Sequence, residues 1–241
     1  MKKTFILFGF CLCLLGLTTS QTEAQVIPGL IAHWKFDEGT GTIAGDSAGT
    51  NTGTLTNGPT WTTGKIGSAL SFDGVNDYVN NITNTVPAYV AGGAISISAW
   101  VNGAPGTDGV IYSEGNSNTN TDVFRISRGF ANGSKAHLLI RNAGGVRLNV
   151  DSASTAFDNT WHHIVYTDTN GTAKFYVDGI QDATNFNYTP QAIPTNNSTI
   201  GAYKRANNSI VVPFPGKIDD VRLYNRALTA SEVQQIFNGA P

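Results

Sequence analysis

The stretch from Trp161 to Gly179, WHHIVYTDTNGTAKFYVDG, constrains the fold of this chain more than any other. Its side chains form two runs in which successive residues face opposite ways, and this period of two is typical of β-strands. Between the runs lies Asn170-Gly171, whose residues tolerate the positive φ of a tight hairpin turn. Asp178-Gly179 repeats the turn signal. The stretch therefore predicts three successive strands inside a layered all-β body.

Short runs with the same alternation recur along the chain, separated by turn residues. The clearest is Ala94 to Val101, AISISAWV, with Ile95 and Ile97 on one side and Ser96 and Ser98 on the other. The other predicted strands are 30–36, 69–72, 77–79, 110–113, 123–127, 137–141, 146–150, 198–201 and 216–224. Residues 37–58 are predicted to form a long polar loop. Strands of this length and spacing predict a β-sandwich or jelly roll.

One short helix is predicted near the C-terminus. Thr229 and Glu232 have the spacing of a capping box, in which the threonine is the N-cap. Leu228 and Val233 are placed to form a hydrophobic staple, and Gly239 is the predicted C-cap. We expect this helix to cover an edge of the sandwich.

The N-terminus has the pattern of a secretory signal peptide. Lys2 and Lys3 precede the apolar run 5–17, and small residues favour cleavage after Ala24. Residues 1–24 are thus predicted to be a leader, and 25–241 a secreted domain; a periplasmic location stays open. Both cysteines, Cys11 and Cys13, belong to the leader, which leaves the mature domain without a disulfide or a thiol nucleophile.

The charge of the mature chain gives little support for a polyanionic nucleic-acid partner. Removal of Lys2, Lys3 and Glu23 leaves 13 basic and 16 acidic residues, a net charge of −3. No sequence cluster of basic residues predicts binding to nucleic acid or anionic lipid. After the leader, no apolar run is long enough to predict a membrane span.

Several stretches carry a family resemblance: HWKFDEGTG (33–41), DSAGTNTGTL (46–55), GKIGSALSFDGVNDYV (64–79), AISISAWV (94–101), 161–179, TIGAY (199–203) and GKIDDVRLYNRALTASEVQQIFNG (216–239). In this order they resemble the laminin-G-like jelly-roll domains of the concanavalin A-like lectin/glucanase superfamily. The resemblance implies an antiparallel β-sandwich whose first and penultimate elements are adjacent. The resemblance implies that the chain binds glycans, proteins or calcium, or has a structural role. It does not choose among these roles, because a fold alone does not fix function.

Calcium is the one cofactor that the sequence suggests. Calcium prefers carboxylate and carbonyl oxygens, and the adjacency of the first and penultimate elements implies that Asp219 meets Asp37 or the loop of Asp46. We predict Asp37, Asp46 and Asp219 as metal ligands of a structural calcium ion. The alternative, that Asp37 and Asp46 accept turn hydrogen bonds, stays open.

Ligand-binding residues are predicted on the middle strands. The positions interpreted as outward-facing are Tyr112, Arg125, Arg141, Arg147 and Asn149. Aromatic rings, amides and charged groups are the side chains that sugar sites use. We predict these five residues to contact a glycan or a peptide; a solvated sheet face is the alternative.

Catalysis is the least favoured reading. Retaining glycosidases need two carboxylates about 5 Å apart, and glucanases of the superfamily carry closely spaced acidic residues on one strand. Asp37-Glu38 are sequential and point to opposite faces, and the four histidines lack a metal-spaced pattern. The predicted function is a secreted, non-catalytic binding or adhesion module whose partner is a glycan. The alternatives are a protein–protein or cell-surface structural module and, last, a polysaccharide-cleaving enzyme.

Overall fold

A computed structural model describes residues 27–80, 93–121, 123–130 and 132–239; the predicted leader and its cleavage site lie outside the described residues. Two eight-stranded sheets dominate this part of the chain, and all their strand pairings are antiparallel. The predicted all-β antiparallel sandwich with a short C-terminal helix is confirmed. Among the described residues, no helix combines the length and hydropathy that a bilayer crossing requires.

The first sheet, called sheet A, is built around the predicted central hairpin. Numbered in chain order, its strands are β1 (Leu30–Trp34), β4 (Thr60–Thr63), β5 (Ser68–Asp73), β7 (Ala94–Asn102), β12 (Trp161–Thr169), β13 (Thr172–Val177), β14 (Ile180–Asn187) and β18 (Pro215–Tyr224). The spatial order is β14-β13-β12-β7-β18-β5-β4, and β1 also pairs with β18. Asn170 and Gly171 have φ of 49° and 84°, as the hairpin turn requires.

The second sheet, sheet B, contains the strands on which ligand-binding residues are predicted. Its strands are β2 (Ile43–Ala44), β3 (Gly53–Thr56), β6 (Tyr78–Asn80), β8 (Gly109–Gly115), β9 (Val123–Arg128), β10 (Lys135–Asn142), β11 (Gly145–Thr155) and β15 (Asn197–Ile200). The spatial order is β11-β10-β9-β8-β15-β6-β3-β2. A separate two-stranded ribbon consists of β16 (Tyr203–Lys204) and β17 (Ile210–Val211), with a short 3-10 helix, Ala206–Asn208, between them.

The main core lies between the inner faces of the two sheets. Apolar residues alternate along the strands of both sheets and meet in one buried cluster. Phe124 of β9 and Tyr166 of β12 are in ring contact across the interface, with centroids 5.7 Å apart. Burial of aromatic and β-branched side chains is the main stabilising contribution in such a sandwich.

Residues 37–58 are not the single long loop that the sequence predicts. Ile43–Ala44 and Gly53–Thr56 form β2 and β3, which pair with each other at the edge of sheet B. β2 has only two residues, and β3, GTLT, consists mostly of Thr and Gly, so neither is long or apolar enough to show the alternation that identifies a strand from sequence. The segment therefore extends sheet B and does not form a free loop.

The C-terminal helix α1, Ala230–Phe237, begins as predicted. The Thr229 side chain accepts a hydrogen bond from the backbone N–H of Glu232, and the Glu232 carboxylate accepts one from the backbone N–H of Thr229. The C-cap is Asn238, one residue before the predicted Gly239. Val233 and Ile236 pack against Val165, Tyr176 and Tyr224 on the outer face of sheet A. The helix thus covers a sheet face, whereas we expected it at an edge.

Strand β18 changes partner in its middle. Pro215–Ile218 pair with β5, whereas Val221–Tyr224 pair with β1. Asp219 and Asp220 lie between these halves, where the pairing with β7 is irregular and Asp220 has a φ of 50°. The implied adjacency of the first and penultimate elements is confirmed by the β1–β18 pairing.

Candidate functional site

Four of the five predicted ligand-binding residues lie on β9, β10 and β11 of sheet B. Along β10, Ala136, Leu138 and Ile140 enter the core, so the alternate residues point to the outer face. We define the outer polar face by the residues Arg125, His137, Leu139, Arg141, Asn149 and Asp151. The pairing aligns Arg125, Leu139 and Asn149 in one row across three strands.

Tyr112 is the exception, and its assignment to the outer side is wrong. It is completely buried in the main core, and its hydroxyl donates a hydrogen bond of 2.9 Å to Glu114 Oε1. The pairing of β8 with β9 shifts between Val110 and Tyr112. This β-bulge puts Val110 on the outer side and Tyr112 on the inner side, although both would share a face in a regular strand.

Arg125 is held by Asp108, a residue that the sequence analysis missed. Arg125 Nη2 lies 2.5 Å from Asp108 Oδ2. Three nearby buried atoms, Arg125 Nε, Asp108 Oδ1 and Ser127 Oγ, have no hydrogen-bond partner among the described residues. Leaving buried polar atoms unsatisfied is unfavourable. The three atoms therefore mark hydrogen-bonding capacity at this end of the face that no described residue uses.

His137 and Asp151 form a second polar pair beside Arg125. His137 Nδ1 lies 2.6 Å from Asp151 Oδ1; the imidazole is 4% exposed and the carboxylate side chain 26%. The pairing aligns Ser127, His137 and Asp151 across three strands. Ser127 Oγ is buried and makes no hydrogen bond to the imidazole. The row therefore lacks the geometry of an activated serine nucleophile and presents instead a partly exposed carboxylate.

Two arginines lie toward the opposite end of the outer polar face. The guanidinium of Arg141 donates to the carbonyl oxygens of Thr121 (3.0 Å) and Asn120 (2.7 Å). Arg147 lies near the tip of the β10–β11 hairpin and donates to Asn142 Oδ1 at 3.3 and 3.1 Å. Asn149, between this end and Asp151, is exposed.

The β16–β17 ribbon covers one flank of the outer face. Tyr203 packs against Val110 and Val123, with Leu139 beside them. At the Asp151 end, the backbone N–H of Gly106 donates to the carbonyl of Gly133 and joins two loops. The β10–β11 part of the face lies beyond the ribbon and carries the exposed Asn149 and the partly exposed Asp151.

An exposed aromatic ring lies directly after β9. Phe130 is 76% exposed, more than any other large hydrophobic side chain among the described residues. Its neighbour Gly129 is tightly packed, because a Cβ there would lie 2.2 Å from the carbonyl oxygen of Asn132 and 3.2 Å from Asp151 Oδ1. The backbone of Gly129, next to Phe130, therefore lies close to the carboxylate of Asp151 on the outer polar face.

The predicted metal ligands have other hydrogen-bond partners. Asp46 Oδ1 accepts from the backbone N–H groups of His33, Ala48 and Gly49, and Oδ2 from the N–H and the Nδ2 of Asn51. Although burial acts to raise it, these hydrogen bonds hold the pKa of Asp46 below its usual value. With five donors, the carboxylate serves as a turn acceptor.

Asp37 and Asp219 are also bound to backbone. Asp37 Oδ1 accepts from the N–H of Ser68, and Asp219 Oδ2 accepts from Lys65 and Ile66. Among the described residues, no three His, Cys, Asp or Glu side chains are grouped to hold a metal ion. The donor set therefore does not fit a calcium ion held jointly by Asp37, Asp46 and Asp219, and calcium binding stays a prediction.

A second polar region lies on the outer side of sheet A. His33 Nε2 lies 2.5 Å from Asp220 Oδ1, and Asp220 Oδ2 accepts from Arg222 Nε at 3.0 Å. These three buried residues line a pocket of about 240 Å³ together with Lys35, Asp37, Ile66 and Gly239. Because the charges at its floor bind one another, we interpret the network as a connection between β1 and β18.

Buried groups next to this network have shifted pKa values. Burial, reinforced by the charge of Asp220, raises the pKa of Asp219 to about 7. Burial lowers the pKa of His163 to about 4, and its Nε2 lies 2.8 Å from Ser98 Oγ. The rings of Trp100, His163 and Phe237 contact one another, and Lys65 Nζ lies 4.6 Å from the Trp100 ring centroid.

Comparison with sequence families gives one match. A laminin-G family, described as the concanavalin A-like lectin/glucanases superfamily, matches residues 72–234. Among curated proteins, the chain is similar to adhesion G-protein coupled receptor V1 of Danio rerio, with 24% identity over 163 residues. The match covers 65% of this chain but 2% of the receptor, so the chain corresponds to a very small part of that relative.

Solved structures share the fold. Domain 4 of AbnA, a GH43 extracellular arabinanase from Geobacillus stearothermophilus in complex with arabinotriose, has 23% identity and a TM-score of 0.63. The match covers 86% of this chain and 98% of that chain. Trypanosoma rangeli sialidase in complex with sialic acid matches at 17% identity and a TM-score of 0.63, over 87% of this chain and 32% of the sialidase chain. At these identities the likeness shows the fold alone.

Proposed function

We propose that this chain, which belongs to the laminin-G family of the concanavalin A-like lectin/glucanases superfamily, is a non-catalytic carbohydrate-binding module that binds glycans on its outer polar face. The observation that carries the proposal is the set of polar groups that β9, β10 and β11 align there. Arg125, Asn149 and Asp151 supply both donors and acceptors, which is what sugar hydroxyls require.

Apolar contact is the other component of sugar recognition. Phe130, exposed and one residue from Gly129 beside Asp151, supplies a ring against which the CH groups of a sugar can pack. The arabinanase domain solved in complex with arabinotriose also supports a glycan ligand, because nearly the whole of that domain has this fold. Secretion, proposed from the leader sequence, would place the module where polysaccharides occur.

A protein-binding role is the second candidate. It is supported by the similarity to an adhesion receptor and by exposed apolar residues apart from the outer polar face, namely Ile43, Ile66, Val75 and Ile180. These side chains lie at separate positions in the chain, whereas the polar groups of the outer polar face are aligned across three strands, and we therefore favour the glycan.

Calorimetric titration against a panel of polysaccharides, beginning with arabinan, tests the proposal. We expect at least one polysaccharide to bind and Asn149→Ala to weaken that binding. Thr172→Ala, an exposed position on sheet A, is the matched control and should bind like the wild type. The proposal would be contradicted if substitutions of Asn149, Asp151 and Phe130 left binding unchanged, or if no polysaccharide of the panel bound. Release of new reducing ends from a polysaccharide would show that the protein cleaves it, which would contradict the proposal that the module is non-catalytic.

A further inference from the structure

The arginines of the two sheets have different partners. On sheet A, Arg222 binds the carboxylate of Asp220 at 3.0 Å, and Arg226, two residues after β18, binds that of Glu232 at 2.6 Å. On the sheet B side, Arg125 is bound to the carboxylate of Asp108. The other arginines of β9, β10 and β11 are bound to uncharged oxygens.

Three guanidinium groups show this second kind of bonding. Arg128 donates to the carbonyls of Thr107 and Ala104, Arg141 to those of Thr121 and Asn120, and Arg147 to the side-chain oxygen of Asn142. Within the described residues, none of the three forms an ion pair with a carboxylate. Carbonyl oxygens fix the orientation of a guanidinium group but do not neutralise its charge.

Two lysines extend the pattern on the same side of the sandwich. Lys135 Nζ donates to the carbonyl oxygen of Ala153, and Lys204 Nζ lies 3.4 Å from Asn80 Oδ1. Lys135 and Arg141 occupy outward positions at the two ends of β10, about 20 Å apart at roughly 3.4 Å per residue. Cations spread over this distance fit an extended ligand better than a single small anion.

Among Arg128, Arg141 and Arg147, Arg128 is buried, whereas Arg141 and Arg147 are partly exposed cations that no carboxylate of the described residues neutralises. The chain as a whole is not basic, because the full sequence has 15 basic and 17 acidic residues, a net charge of −2. Exposed cations of this kind attract anionic ligands locally and increase their association rate at low salt. Guanidinium groups suit this role because their planar donors match carboxylate and sulfate oxygens.

We infer that the glycan bound on the outer polar face is acidic, with its carboxylate or sulfate groups contacting Arg141 and Arg147. This inference rests on the proposed glycan-binding function and narrows it to a class of polysaccharide. Arg125, already paired with Asp108, and Asn149 are left to contact the neutral hydroxyls.

The test compares three polymers: neutral arabinan, polygalacturonate as a carboxylate polymer, and dextran sulfate as a sulfate polymer. Binding is measured at about 0.1 M and about 1 M sodium chloride, where the screening length falls from about 10 Å to about 3 Å. We expect one of the acidic polymers to bind more tightly than arabinan, and its binding to weaken as salt rises. The polymer that binds identifies the anionic group.

Variants locate the charge that is responsible. The pair Arg141→Gln and Arg147→Gln should weaken binding of the acidic polymer by about tenfold or more, since two charge-assisted hydrogen bonds are lost. The pair Arg141→Lys and Arg147→Lys should keep the salt dependence, because the charge remains. Lys174→Gln on sheet A is the matched control, and thermal melts confirm that all variants fold.

The outcomes separate this inference from the proposed function. Arabinan binding that equals acidic-polymer binding and does not respond to salt would overturn the inference and leave the glycan module standing. Salt-sensitive binding unaltered by the glutamine pair would also overturn it. No binding to any polysaccharide would overturn both.

Discussion

His33 Nε2 on β1 lies 2.5 Å from Asp220 Oδ1 on β18, and both side chains are almost completely buried. The contact joins residues 187 positions apart in the chain. The same carboxylate accepts hydrogen bonds from Arg222. Although burial acts to raise it, the contacts with His33 and Arg222 hold the pKa of Asp220 below its usual value. The network therefore fixes the first described strand to the last.

Replacement of Asp220 by Asn should destabilise the protein by about 3–5 kcal/mol, since Arg222 would stay buried without its counter-charge. Asn is chosen because it tolerates the φ of 50° at this position. Urea unfolding measures the change. The control is Glu38→Gln, an exposed carboxylate, which should change stability by less than about 1 kcal/mol. Equal, small effects of both variants would show that the buried network contributes little.

Asp219 should make stability depend on pH. Its pKa is about 7 in the folded protein, against an ordinary value of 3.8. Between about pH 4 and pH 7 the folded state keeps a proton that the unfolded state has released. The free energy of unfolding must therefore fall as pH rises through this range, by up to about 4 kcal/mol, and level off above it.

The comparison that isolates this effect is wild type against Asp219→Asn, by urea unfolding at a series of pH values. The two proteins are compared because His163 also changes the free energy of unfolding with pH. Burial lowers the pKa of His163 to about 4, so its contribution rises with pH over part of the same pH range. We expect the wild type to lose stability relative to the variant as pH rises from about 4 to about 7. Parallel pH profiles would contradict a raised pKa at Asp219.

Replacement of Asp46 by Ala should reduce stability by about 2–3 kcal/mol, because several backbone N–H groups lose their acceptor. If the carboxylate serves as a turn acceptor, the loss is the same with calcium and with a chelator. If Asp46 holds calcium, the wild type melts higher with calcium and the variant loses that increase. Thermal melts of both proteins in both conditions distinguish the two roles.

The parts of the fold that follow from local chemistry were predictable from sequence. Asn170-Gly171 specifies its hairpin, and Thr229 with Glu232 specifies the start of the helix, because in each case a few adjacent residues determine the backbone. The alternation of β10 also placed Arg141 on the outer face. The same alternation could have identified His137, which shares that face, but its pairing with Asp151 depends on strand register.

Features that depend on long-range pairing were not predictable. The bulge at Ile111 reverses the side of Tyr112, and nothing in GVIYSEG marks it. β3 forms because it pairs with β6, and β2 forms because it pairs with β3; their own sequences do not favour strands. The ion pair of Arg125 with Asp108 arises from a loop that the sequence does not place over the sheet.

Amide NMR shifts can locate the glycan on the outer polar face of sheet B residue by residue. The experiment titrates isotope-labelled protein with whichever polysaccharide fragment binds. We expect the largest shifts on β9, β10 and β11, around Arg125, His137 and Asn149. Shifts concentrated instead around His33 and Asp220, on the other sheet, would contradict this location.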